Sequence, residues 1–210
     1  MGLGVTTHAL AYAIANGEED FESDLDVINK LLIDNGLPAH EEPQGYGAAT
    51  ARAHVSSFPY SMVHYLRRAY AHALTNPGQP VTPVPESERA AGDPLVDEVS
   101  CLFDCHLICH SDCEGYYVPI DFEDVLFADE EDGLPGGMLG SSSRLMRELV
   151  YVAPYLGITL VDDQLPDTDA TALFEAEDED NPLWRERLVW LTLFENARVS
   201  LANNTLITFC

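Results

Sequence analysis

Read for its apolar and polar positions, the chain alternates helical stripes with short β-compatible runs. Residues 3–14 are small and β-compatible, and predict a first strand. In SDLDVINKLLIDNG, residues 23–36, Leu25, Ile28 and Leu32 share one helical face. Ser23 stands as N-cap with Asp26 three residues on, and Gly36 sits where a C-cap glycine belongs. A second helix is predicted over residues 56–74, with Ser57 capping and Pro59 in the first turn. Met62, Leu66, Ala69, Tyr70 and Ala73 form its apolar stripe. A third helix runs from the serines at 141–143 through Leu145, Leu149, Val152 and Leu156 to Gly157. Residues 158–161 read as a short strand and 167–180 as a short acidic helix. The longest helix is predicted over 181–204, with Asn181 as cap and Pro182 at its first position, and residues 205–210 close the chain as a strand.

Between these elements, residues 75–94 carry five prolines and read as a surface loop. Helices and strands mix without regular βα alternation. The expectation is therefore an α+β fold over residues 1–210, a single domain with helices packed on a mostly antiparallel sheet. At 210 residues the chain is long enough to bury a substantial core.

The stretch CLFDCHLICHSDC, residues 101–113, places four of the five cysteines at four-residue intervals, with His106 and His110 between them. In a strand, each four-residue step covers about 13 Å. In a helix it rises about 6 Å. One zinc with sulfur ligands at about 2.3 Å cannot gather all four thiolates from either element. HLICH, SDCEG and YYVPI look like a hairpin around a polar turn, and at that turn Cys109, His110 and Cys113 form a smaller candidate zinc set. Cys113 beside His110 and Asp112 has the residue types of a thiol nucleophile, but the surrounding carboxylates would raise its pKa. Packing of cysteine as a small apolar residue is the stronger account. A metal- or thiol-dependent enzyme centred on residues 109–114 is the alternative reading. No cofactor is otherwise indicated.

Charge changes the picture more. There are 36 acidic side chains against one lysine and nine arginines, for a formal net charge of −26. Self-repulsion on this scale disfavours direct contact with nucleic acid or an anionic membrane and suits a basic protein partner. Adaptation to high salt would give the same composition. From Ala90 to Ser143 there are 13 acids and no lysine or arginine, so pairing within the segment is impossible. Asp112, Glu114, Asp129, Glu130, Glu131 and Asp132 are the candidate partner-binding carboxylates. Tyr116 and Tyr117 lie among them as candidate aromatic anchors, with Phe127 nearby. The N-terminus has no basic region before its apolar stretch, so a secretory signal is not expected and the location is expected to be cytoplasmic.

The runs HSDCEGYYVPIDF, LPGGMLGSS and WRERLVWLTLFE resemble segments of a family of uncharacterised bacterial proteins, across the C-terminal half of the chain. The general character is similar to that of immunity proteins that neutralise toxins. That likeness implies a binding protein of immunity or inhibitor type rather than an enzyme, with a basic toxin as partner.

Overall fold

The computed structural model describes residues 2–17, 20–52, 57–85, 87–175 and 181–210. Among these residues six strands are found: β1 (Leu3–Thr7), β2 (Ser57–Phe58), β3 (Gly115–Val118), β4 (Leu126–Phe127), β5 (Met138–Ser141) and β6 (Ile207–Phe209). They join in one sheet of order β2-β1-β6-β3-β5-β4, in which only the β3–β5 pair is parallel. Eight helices accompany them: α1 (Ala9–Asn16), α2 (Asp20–Asp34), α3 (Ser61–Thr75), α4 (Pro94–Ser100), the single turn α5 (His106–Cys109), α6 (Ser142–Val152), α7 (Asp167–Glu175) and α8 (Trp184–Asn203). The fold is α+β on a mostly antiparallel sheet, as the element pattern predicts.

Side chains alternate across the strands, and this alternation assigns the helices to faces. Tyr117, Ile207 and Phe209 point into one apolar cluster with α3, α6 and α8. Tyr116, Val118, Leu139 and Leu206 point into the other, where Ile28 and Leu32 of α2 and Leu10 of α1 cover them. On the first face Trp190 of α8 is fully buried and donates its indole N–H to the Leu149 carbonyl at 2.7 Å. That bond leaves no polar atom of the indole unpaired in the core. Ser141 caps α6 by accepting from the Arg144 N–H, as the serine run predicts.

Several expected elements are corrected. The β-compatible run at 3–14 is β1 only as far as Thr7. His8 then takes a left-handed conformation (φ 64°), and the alanine-rich segment that follows is helical. Ser57 is not a helix cap but pairs with β1, and α3 starts at Ser61 with the Met62 N–H bonded to the Pro59 carbonyl. Residues 158–161 join no strand of the sheet; Val161 only bridges to Gln164. The hairpin expected between HLICH and YYVPI does not form. Residues 106–109 are a helical turn, because Glu148 of α6 accepts from the His106 and Leu107 N–H groups at 2.7 and 2.6 Å and caps it. β3 finds its partners instead in β6, from the C-terminus, and in β5, a strand hidden in the glycine-rich segment. Of the predicted acidic helix, residues 167–175 are helical, and 176–180 lie outside the described residues.

Candidate interaction surface

The turn after α5 is held from inside. Arg67 of α3, buried, donates from its guanidinium to the carbonyls of Leu107 (2.9 Å), His110 (2.6 Å) and Ser111 (3.0 Å). Its charge is thus met by the carbonyls of the turn itself. His110 stacks on Tyr117 with ring centroids 4.0 Å apart, and its Nε2 and Nδ1 lie 3.0 Å from the Tyr116 and Ser111 carbonyls. Burial pushes its pKa down to about 4. Asp112 meets His64 Nε2 at 2.8 Å.

The described geometry does not assemble the expected zinc set of Cys109, His110 and Cys113. Both ring nitrogens of His110 face backbone oxygens, and burial pushes the Cys109 thiol up to about 11. Cys113 is exposed and lies beside the Ser111 hydroxyl. Among the described residues, no three histidine, cysteine, aspartate or glutamate side chains gather as a metal group. The expected aromatic anchors are also corrected. Tyr117 is fully buried and donates its hydroxyl to the His106 carbonyl at 3.0 Å. Tyr116 is buried, donates to Asp24 Oδ2 at 2.5 Å, and packs edge-on against Phe21. Alternation along β3 sends one ring to each core, so neither is offered to a partner.

The carboxylates at 129–132 behave differently. Glu130–Asp132 form one 3-10 turn ended by Gly133 (φ 69°), and buried Leu134 anchors the segment behind it. Asp132 bonds Lys30 of α2 at 2.9 Å. Asp129, Glu130 and Glu131 are exposed and make no ion pair among the described residues. Glu114, also exposed, lies against the segment that follows this turn: a Cβ on Gly136, which has φ 73°, would lie 2.5 Å from the Glu114 carbonyl oxygen. Glu123 and Asp124, exposed, lead into β4, the edge strand of the sheet. The result is an acidic edge that includes Glu114, Glu123, Asp124 and Asp129–Glu131.

Most of the arginines are engaged elsewhere. Arg52 pairs with Glu195 and Asp167, and Arg198 with Glu195. Arg68 and His72 share Asp93. Arg144 and Arg147 both meet Asp121, and Arg185 lies over the rings of Tyr65 and Trp184. Lys30 is the one cation of these that reaches the acidic edge. A cavity of about 620 Å³ lies in the β1 half of the sheet, lined by His8, Tyr12, Tyr46 and Asn196 among others. No acidic side chain lines it among the described residues, so it stands apart from the charge display.

Sequence reading passed over Leu102 and Phe103, which are exposed beside Phe127 at this edge. The available signal was their place in a segment with no cation, but the cysteine spacing around them suggested a core run. No described helix is long and apolar enough to cross a membrane.

Comparison with known proteins corrects the expected partner. No curated protein and no solved structure matches the chain. A family model described as "Putative DNA-mimic protein" matches residues 1–209, a description that speaks of imitating DNA and not of neutralising a toxin, and the chain belongs to that family.

Proposed function

We propose that this protein stands in for duplex DNA, presenting carboxylates where a DNA-binding protein expects phosphates and so occupying that protein's DNA site. The observation that carries the reading is the set of exposed carboxylates at the β4 edge, Glu114, Glu123, Asp124, Asp129, Glu130 and Glu131, which no cation of the described chain neutralises. Like charges held side by side lower the stability of the fold, so the display has no structural benefit of its own. It acquires one when a partner's lysines and arginines arrive. Those side chains already bind phosphates through charge and counterion release, and a dense row of carboxylates offers them an equivalent field. The protein itself needs no contact with nucleic acid. It works in the compartment that holds the DNA, the cytoplasm of a bacterial cell.

The test is competition. A fluorescent duplex is bound to a purified DNA-binding protein, once with a minor-groove architectural protein and once with a helix-turn-helix repressor, and this protein is titrated in. The expected result is a fall in anisotropy as the duplex is released from at least one of them. Direct binding of this protein to the DNA-binding protein, measured without duplex, should weaken as salt rises, as expected of an interface between opposite charges. Failure to displace the duplex from either protein at low salt would overturn the reading.

A further inference from the structure

The acidic edge has an apolar centre. Leu102 is 69% exposed, Phe103 50% and Phe127 49%, and the two phenylalanine rings meet edge-to-face with centroids 5.2 Å apart. The pair is fastened from below: the Val125 N–H bonds the Phe103 carbonyl at 3.0 Å, tying the loop after α4 to the strand that carries Phe127. Phe103 also holds a left-handed backbone (φ 57°), in which a bulky residue is sterically strained. Around these rings stand exposed carboxylates: Asp104 next to Phe103, Glu123 and Asp124 before Val125, and Asp129 two residues after Phe127. Asp97 and Glu98 are exposed on α4 just upstream. None of these six makes an ion pair among the described residues.

We infer that Leu102, Phe103 and Phe127 form the centre of the protein's interface, and that the side chain received there is the apolar wedge of a DNA-bending, minor-groove protein. This rests on the DNA-mimic reading and narrows it to one class of partner. The choice follows from what each class of DNA-binding surface carries. A major-groove reader presents arginine, asparagine or glutamine to base edges, and a phenylalanine patch would leave those donors unpaired and desolvated. A binder of phosphates alone gains nothing from exposed rings. A minor-groove architectural protein combines lysine and arginine contacts with an inserted Phe, Leu, Ile, Met or Pro that normally wedges between stacked bases. Its surface is therefore apolar at the centre and cationic around it, the complement of rings within carboxylates. On DNA the wedge must unstack a base step, whereas here it meets apolar side chains that are already exposed.

The experiment is the same anisotropy competition, run with a purified wedge-inserting architectural protein and with a helix-turn-helix repressor, comparing wild type with the double variant Phe103→Asn and Phe127→Ser. Neither substitution changes net charge. Asparagine tolerates the left-handed backbone at 103, so the variant is expected to fold at least as well there, which thermal unfolding checks. Wild type should displace the duplex from the architectural protein, and the variant should need about tenfold more protein or worse. Equal competition by the variant would overturn the apolar centre while leaving the DNA-mimic reading intact. Displacement only from the helix-turn-helix repressor would overturn the class of partner, again with that reading intact. No displacement from either by wild type would sink the broader reading itself.

Discussion

The turn at residues 109–114 and the acidic edge at 123–132 start from similar material: acids, loops next to a strand, and no lysine or arginine in the segment. Their ends differ because of what the fold brings to them. Across the first lies α3, which delivers Arg67 to three carbonyls and His64 to Asp112. Beneath it Glu148 caps α5. The polar atoms of residues 109–112 are mostly consumed and their chemistry is structural, while Glu114 beyond them stays exposed and belongs with the acidic edge. Across the second, Lys30 alone arrives among the described residues, and it takes Asp132 with Asp34 at 3.8 Å. Residue type therefore does not separate a site from a scaffold. The availability of partners does, because a hydrogen-bonded or ion-paired group has little left to offer a second molecule.

The sharpest way to break this contrast is to remove the clamp. Arg67→Met leaves three carbonyls of the turn without their donor in a buried place, and should cost about 4 kcal/mol. The urea midpoint should fall with the slope unchanged, and competition for the DNA-binding protein should persist wherever the variant is folded. An unchanged midpoint would mean that the turn is not held by Arg67.

A smaller effect comes from pH, and its sign separates two groups of the same turn. Burial raises Glu148 from its usual 4.5 to about 8, the dominant cause, against hydrogen bonds from the Leu107 and His106 N–H groups that lower it. Its contribution to stability is fully present below 4.5 and is lost as pH rises through 8. Burial lowers His110 from 6.5 to about 4, so the neutral ring is destabilised only as pH falls below 6.5. Between 4.5 and 6.5 the two slopes oppose and cancel. From 6.5 to 8 Glu148 acts alone, and stability should decline by about 2 kcal/mol. Glu148→Gln should abolish that decline and uncover a rise between pH 4 and 6.5, measured by urea unfolding at each pH. A decline that survives in the variant would refute the assignment.

Much of the fold is legible in the sequence, and the misses have common causes. Long stripes such as Leu145, Leu149 and Val152 specify their helix because burial of one face repeats over several turns. The segment 106–109 carries no such repeat, and its helical turn exists because Glu148, some forty residues on, supplies the cap. Likewise β5 hides among glycines, since Gly140 must be bare where the Tyr117 ring crosses it, a Cβ there lying 2.3 Å from the ring. At the surface, the carboxylates of 129–131 were readable from charge alone. The aromatic residues were not, because Tyr116, Tyr117 and Phe127 look equally suitable until strand alternation buries the first two. Phe103 is not legible as exposed because the cysteines around it at four-residue spacing suggest a buried run, and no local pattern announces its left-handed backbone.

On the acidic edge the contrast predicts binding effects without stability effects. The triple change Asp129→Asn, Glu130→Gln, Glu131→Gln should leave stability within about 0.5 kcal/mol or raise it slightly, as repulsion is relieved. Competition at low salt should weaken about tenfold, and its dependence on salt should become shallower. Destabilisation by the triple change would instead make the edge a structural element like the first turn.

The smallest expected effect tests Lys30, the cation that reaches this edge among the described residues. Lys30→Met frees Asp132 and leaves Asp34 without its i,i+4 partner, taking the net charge from −26 to −27. An exposed pair of this kind contributes little to folding, so the thermal midpoint should barely move. The association rate with the DNA-binding partner should rise, because the local field becomes more uniformly negative and steering strengthens. Stopped-flow association at low and moderate salt separates the two roles. A faster rate at low salt that converges with wild type as salt increases marks Lys30 as a brake on the charge display. A slower rate, or a lower thermal midpoint, would mean that Lys30 shapes the edge, holding the 130–132 turn against α2 so that its neighbours face outward.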